Sequence, residues 1–197
     1  TGHIACAPGY SNYYASYIGV IESLALEYAL KGDQAAGQKA VSSTMNYIDS
    51  ISYAGYSKDD LVAVAGHDIG VLSRIYDWCY DLFTSDQRSQ IILKCESLAY
   101  QLSLGWPPSG LNAVTGFGAE GSLQNYLLTF AIAVADERTD IYNYIMGRME
   151  SEYIPAISTT GAGLQGTRYG TYRGQHVLTA ELLMNTIGYD TDTLFGD

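Results

Sequence analysis

The 197-residue sequence predicts an all-α fold of antiparallel helical hairpins. Three observations lead there. Apolar residues recur at helical spacing along most of the chain, and strand-like alternation is nowhere sustained. Helix-stop and helix-cap signals return about every 50 residues.

The first helix carries Tyr17, Ile21, Leu24 and Tyr28 on one face and stops at Gly32, where Asp33 is placed to cap the second. The third carries Leu61, Val64, Asp68, Leu72, Ile75 and Cys79, with Asp68 a polar break that caps or pairs locally. It stops near Phe83, and Thr84 with Gln87 forms a capping-box pattern for the fourth. Ile91, Cys95, Leu98 and Leu102 form that helix's stripe; Leu123, Leu127, Phe130 and Val134 form the fifth's. The fifth stops near Ala135, with Thr139 or Asp140 as cap of the sixth, and the last stops at Gly188 ahead of Asp190.

These short connections fall near 33, 86, 140 and 190. Longer loops alternate with them: Thr1 to Tyr10, Tyr53 to Lys58, Gly105 to Gly116 and Ser158 to Gly174. The chain is therefore a hairpin repeat of about 52 residues. Alternate connections of an antiparallel array lie at opposite ends, so the long loops share one end, where function is expected. Residues 1–197 form a single helical domain, and three and a half hairpins are too few to close a ring, so an arc of an (α/α) toroid from a larger protein is expected.

Apolar residues make up 47% of the chain and charged ones 16%, a composition that folds rather than stays disordered. The net charge is −11, and ten Lys and Arg in total do not supply a nucleic-acid surface. No apolar run is long enough for a membrane span, and no signal-like segment opens the sequence. Cys6, Cys79 and Cys95 lack metal-ligand spacing; the last two sit in apolar helical patterns and read as buried free thiols. There is no nucleophile elbow, phosphate loop, zinc helix or dinucleotide fingerprint.

The long-loop end collects the residues with chemistry. The stretch STTGAGLQGTRYGTYRGQH contains Gln165, Arg168, Tyr169, Tyr172, Arg173, Gln175 and His176. Arginines suit a carboxylate and tyrosines a proton transfer, as in an anionic-sugar site; a solvated glycine-rich loop is the plain alternative. In GWPPSGLNAVTGFGAEG, Trp106 stacks on a sugar or fills the core, and Asn112 bonds a ligand or caps the loop. Glu120 starts the fifth helix, where the helix dipole alone favours a carboxylate. His3, His67 (near the start of the third helix) and His176 (beginning the last) map to the same end; Asp77 and Trp78 lie toward the other and read as structural.

At these residues the chain resembles the heparinase II/III-like polysaccharide lyases, over roughly residues 10 to 190. GHDIGVLSRIYDWCYDLFTSDQR is similar to that family's helix with a Tyr-Asp-Trp run and following turn. GFGAEGSLQNYLLTFAIAVADERTDIYNYIMGRMESEYIPA resembles the helix pair after its Gly-His-Gly-Ala-Glu motif, and QGTRYGTYR the loop carrying its catalytic Tyr. The resemblance implies an α/α toroid followed by a β-sandwich, secreted or periplasmic, that cleaves a uronate-containing acidic polysaccharide by β-elimination. It implies Tyr169 as the catalytic Tyr, Tyr172 as the nearby alternative and Glu120 as the motif carboxylate, with Arg173 and Gln165 as substrate contacts; Asn112, Trp106 and His67, at the same end, are the further substrate-binding candidates. Phe117 stands where the family motif has His, so either Tyr169 serves as both base and acid with another His assisting, or the activity is lost or changed. No cofactor is expected in this chain, any metal ion belonging to the β-sandwich, without which the isolated chain is expected to be inactive.

Two alternatives accompany the lyase: a non-catalytic carbohydrate-binding or scaffold module derived from one, and a helical-repeat protein-interaction domain. Apolar faces at the ends of an open arc make self-association of this chain an expectation.

Overall fold

A computed structural model describes residues 12–52, 58–101, 120–155 and 170–190. Among the described residues the structure is helical with no strand: α1 (Asn12–Lys31), α2 (Gln34–Ser50), α3 (Lys58–Trp78), α4 (Ser85–Gln101), α5 (Glu120–Ala133), α6 (Thr139–Arg148) and α7 (Gly170–Thr186). A single 3-10 turn, Tyr80–Leu82, follows α3, and Met149–Tyr153 continues α6 as a π-helix.

The stop signals act through backbone geometry. Gly32 takes φ +71° and donates its N–H to the Tyr28 carbonyl at 2.7 Å, closing α1. Asp33 then caps α2, accepting from the N–H groups of Ala35 at 2.9 Å and Ala36 at 3.1 Å. Gly188 takes φ +93°, and the bonds from Tyr189 N to Met184 O and Gly188 N to Asn185 O form a Schellman end to α7. The capping box is present in both directions: Thr84 N donates to Gln87 Oε1 at 2.9 Å, and Gln87 N to Thr84 Oγ1 at 3.2 Å.

One cap differs from expectation. Arg138, not Thr139 or Asp140, occupies the N-cap of α6 and makes no side-chain cap bond. Asp140 instead accepts two hydrogen bonds from the Arg138 guanidinium, at 2.9 Å each, and that guanidinium also grips both carboxylate oxygens of Glu96 on α4. Charge-assisted pairing outcompetes the local cap.

The odd-numbered helices form a row in which α1 packs on α3, α3 on α5, and α5 on α7, while α2, α4 and α6 each pack on the preceding helix. Cross-links show that the row is parallel and in register. Glu22 accepts from Arg74 at 2.6 Å, Asp81 from Tyr28 at 3.1 Å and Glu137 from Tyr80, and Asn125 meets His176 at 3.1 Å, over separations of 52, 53, 57 and 51 residues. The sequence repeat thus returns as the contact offset between neighbouring helices.

Burial follows position in the row. Central α3 is enclosed on nearly every side, burying Ala65, Asp68, Ile69, Val71, Leu72, Ser73, Ile75 and Tyr76. Ser73 and the buried Thr44 of α2 satisfy their hydroxyls on carbonyls one turn back. At the ends of the row, α1 leaves Val20 and Leu30 exposed and α7 leaves Leu178 and Leu182 exposed. The α1 stripe is offset from the sequence reading. Among the described residues of α1, Ile18, Ile21 and Ala25 are buried, while Tyr17 is 37% exposed and Tyr28 half-buried, its hydroxyl turned toward Asp81. A phenol at the edge of a face keeps its ring on the core and its oxygen in polar company.

Candidate functional site

The Tyr47 hydroxyl on α2 donates to Asp68 Oδ1 on α3 at 2.8 Å, and both residues are buried. Asp68 thus pairs across to a neighbouring helix. Its register on the apolar stripe of α3 turns it into the core, and the bond it accepts ties two helices together. The Tyr47 ring lies 6.1 Å from that of Tyr17. Burial, and then the nearby Asp68 charge, raises the Cys95 thiol far above its ordinary range. Cys79 is likewise pushed up to about 11 by burial. Both are free buried thiols, protonated and inert as nucleophiles at neutral pH.

A second polar group runs across α3, α5 and α7. The His67 ring meets the Tyr126 ring edge-on at 6.2 Å. Tyr126 in turn lies over Gly70, where a Cβ would stand 2.4 Å from its Cδ1, so glycine is what lets α3 and α5 approach here. On the adjacent α5 position, Asn125 is 5% exposed and its amide Nδ2 meets His176 Nδ1 of α7 at 3.1 Å. With the amide donating, Nδ1 is the acceptor and the imidazole proton sits on Nε2. Burial lowers the His176 pKa, which favours this neutral ring at pH 7. The Asn125 carbonyl oxygen is buried and has no hydrogen-bond partner among the described residues.

Helix starts move several expected positions. α3 reaches back to Lys58, so His67 lies in the middle of that helix rather than near its start. α7 begins at Gly170, so Tyr172 and Arg173 belong to its first turn, not to the preceding loop, and His176 lies inside the helix rather than beginning it. Glu120 is the first residue of α5, as expected. α5 and α7 are neighbours tied at Asn125–His176, and Glu120 and Tyr172–Arg173 belong to the N-terminal turns of these two helices. Tyr169, Gln165, Asn112, Trp106 and Phe117 lie outside the described residues, as do His3 and Cys6. Asn125 and Tyr126 escaped the sequence reading; the available signal was an amide between Leu123 and Leu127 on an apolar helix, where a buried polar group calls for a partner.

The opposite end holds a different network. Glu137 accepts from the Tyr80 hydroxyl and faces Arg88 at 3.9 Å, and the Arg88 guanidinium stands 4.5 Å from the Tyr80 ring centre. Tyr76 lies edge-on to Tyr80 and stacked on Phe83. Burial and the Glu137 charge keep its phenol well above the ordinary range, so it stays protonated. These groups join successive short turns. Asp77 and Trp78 close α3 at this end, Trp78 packing on the core and Asp77 at the surface.

Among the described residues no three His, Cys, Asp or Glu side chains gather as a metal site, and no helix is long and apolar enough to cross a membrane. Compared with known proteins, the chain matches no family model and no curated protein.

Proposed function

We propose that this chain is the helical part of a secreted or periplasmic polysaccharide lyase, an arc of an (α/α) toroid that acts on a uronate-containing acidic polysaccharide. The observation that carries the proposal is the Asn125–His176 contact of 3.1 Å. It ties α5 to α7, the two helices whose first turns carry the carboxylate residue Glu120, the phenol residue Tyr172 and the guanidinium residue Arg173.

β-Elimination asks for these groups. Arg173 pairs with the uronate carboxylate and makes the C5 proton more acidic. A tyrosine, Tyr169 or its neighbour Tyr172, takes that proton. The electron pair forms the C4–C5 double bond, the bond from C4 to the glycosidic oxygen breaks, and a tyrosine protonates the leaving oxygen. His176, neutral and bonded through Nδ1 to Asn125, holds the α5–α7 spacing rather than serving as the base.

The test is to incubate the full-length protein with heparan, alginate and ulvan and follow the ultraviolet absorbance of unsaturated uronate products. Product formation, abolished by Tyr169→Phe, is the expected result; no product from any uronate would overturn the lyase reading. Phe117, in the position of the family's His, favours a second reading as a non-catalytic carbohydrate-binding module. That reading expects glycan binding without product, weakened by Arg173→Ala.

A further inference from the structure

We infer that the open face of α3 is a uronate subsite, in which Tyr126 stacks on a sugar ring and Arg74 takes that sugar's carboxylate. The inference rests on the carbohydrate reading above but not on turnover. From Val64 to Trp78 the residues of α3 are buried except Val64, His67, Arg74, Asp77 and Trp78. Val64, His67, Arg74 and Trp78 recur at helical spacing and form one stripe. From this stripe Arg74 reaches Glu22 of α1 and His67 meets Tyr126 of α5, so the stripe runs between those two helices.

The stripe offers a ring and a cation one turn apart. Tyr126 is half-buried and lies over Gly70, its orientation steadied by the edge-on His67 ring. A partly exposed phenol ring suits the apolar face of a sugar. Arg74 follows Gly70 by one turn, about 6 Å of helix rise. Its Nε donates to Glu22 at 2.6 Å, which fixes the guanidinium, and no other hydrogen bond among the described residues engages its terminal nitrogens. Arg88, Arg138 and Arg148 instead spend terminal nitrogens on protein oxygens. An uncommitted guanidinium fork pairs with a carboxylate through two parallel bonds. The neighbours are small: a Cβ on Gly19, one turn before Glu22, would meet nothing within 4 Å, and Thr129 and Ala133 follow Tyr126 along the partly exposed side of α5. At a net charge of −11, an acidic ligand binds where a cation is presented to it. Arg74 is 33% exposed and presents one.

Calorimetry on the full-length protein tests this with alginate oligosaccharides, used as they are and after reduction of their carboxylates to alcohols. Wild type is expected to bind the acidic form more tightly than the reduced form. Arg74→Gln should weaken binding of the acidic form about tenfold or more and leave the reduced form unchanged. Glu22→Gln combined with Arg74→Gln, which leaves no carboxylate unpaired, should stay as weak. Tyr126→Leu should weaken both forms by a similar factor, since stacking does not depend on the carboxylate. Matched thermal melts establish that each variant is folded; should Tyr126→Leu fail to fold, the Arg74 variants decide. Equal binding of both forms by wild type, no binding of either, or an acidic-form affinity unchanged in Arg74→Gln overturns the inference. So does wild-type affinity in the double variant, which would mean that Arg74 only balances Glu22, or a folded Tyr126→Leu that binds both forms as wild type does. Binding that depends on Arg74 without unsaturated product upholds this subsite and removes the lyase reading alone. Unsaturated product from wild type, with binding indifferent to Arg74, removes the subsite alone.

Discussion

The hydroxyl of Tyr47 and the carboxylate of Asp68 meet at 2.8 Å in a place with no solvent, joining α2 to α3. Tyr47→Phe removes this bond and keeps the ring. It should lower unfolding free energy by about 1–3 kcal/mol, because the carboxylate stays buried with one donor fewer. Urea denaturation measures the change. A loss near zero would mean that the bond contributes nothing to stability.

The close approach of α3 and α5 at Gly70 yields a second prediction. Gly70→Ala pushes a methyl group into the Tyr126 ring and should destabilise by about 1–3 kcal/mol. Combined with Tyr126→Ala, it should cost less than the two single changes added together, since the obstacle has gone. Strict additivity in thermal or chemical melts would show that Tyr126 is not what restrains position 70.

His176 makes stability depend on pH in one direction. Its folded pKa is depressed below the ordinary 6.5 by burial, so the unfolded chain binds the proton more readily. Its penalty is absent above pH 6.5 and grows as pH falls through that value toward the folded pKa. Melting temperatures measured from about pH 7.5 to about pH 5 should fall, and His176→Gln should flatten that part of the profile. An NMR titration midpoint at or above 6.5 contradicts this.

Arg138 carries the ion-pair prediction. It joins Glu96 on α4 to Asp140 on α6, and Arg138→Leu should cost about 1–3 kcal/mol, mostly through the less exposed Glu96. The guanidinium holds the Asp140 carboxyl at about 2, against an ordinary 3.8. This share is present above pH 3.8 and lost as pH falls toward 2. Asp140 is 67% exposed, so the share is small and should shrink further in high salt. Acid titration of stability, with and without Arg138, separates the two contributions.

Elements governed by neighbours in sequence were legible from the sequence. Gly32, Asp33, the Thr84–Gln87 box and Gly188 act within one turn of backbone, and each occurs where the letters place it. The stripe through Leu72, Ile75 and Cys79 is buried for the same reason. The site was legible only in part. Glu120 begins α5 as read, yet His67, Tyr172 and His176 sit deeper in their helices than glycine-rich composition suggested. A run such as GTYRG lacks a strong start signal, yet α7 begins at its first glycine. Arg138 took a capping position from Thr139 because its partner, Glu96, lies 42 residues away.

The helices, their short turns and their period of about 52 residues are written in the amino-acid order, since they depend on spacing and local backbone preference. The packed fold is what makes Asp68 a buried cross-link, closes Tyr126 over Gly70, and joins α5 to α7 through Asn125 and His176. Each of those pairings depends on which faces meet when parallel helices align. That is set by the burial of all the helices together, not by the residues of any one of them.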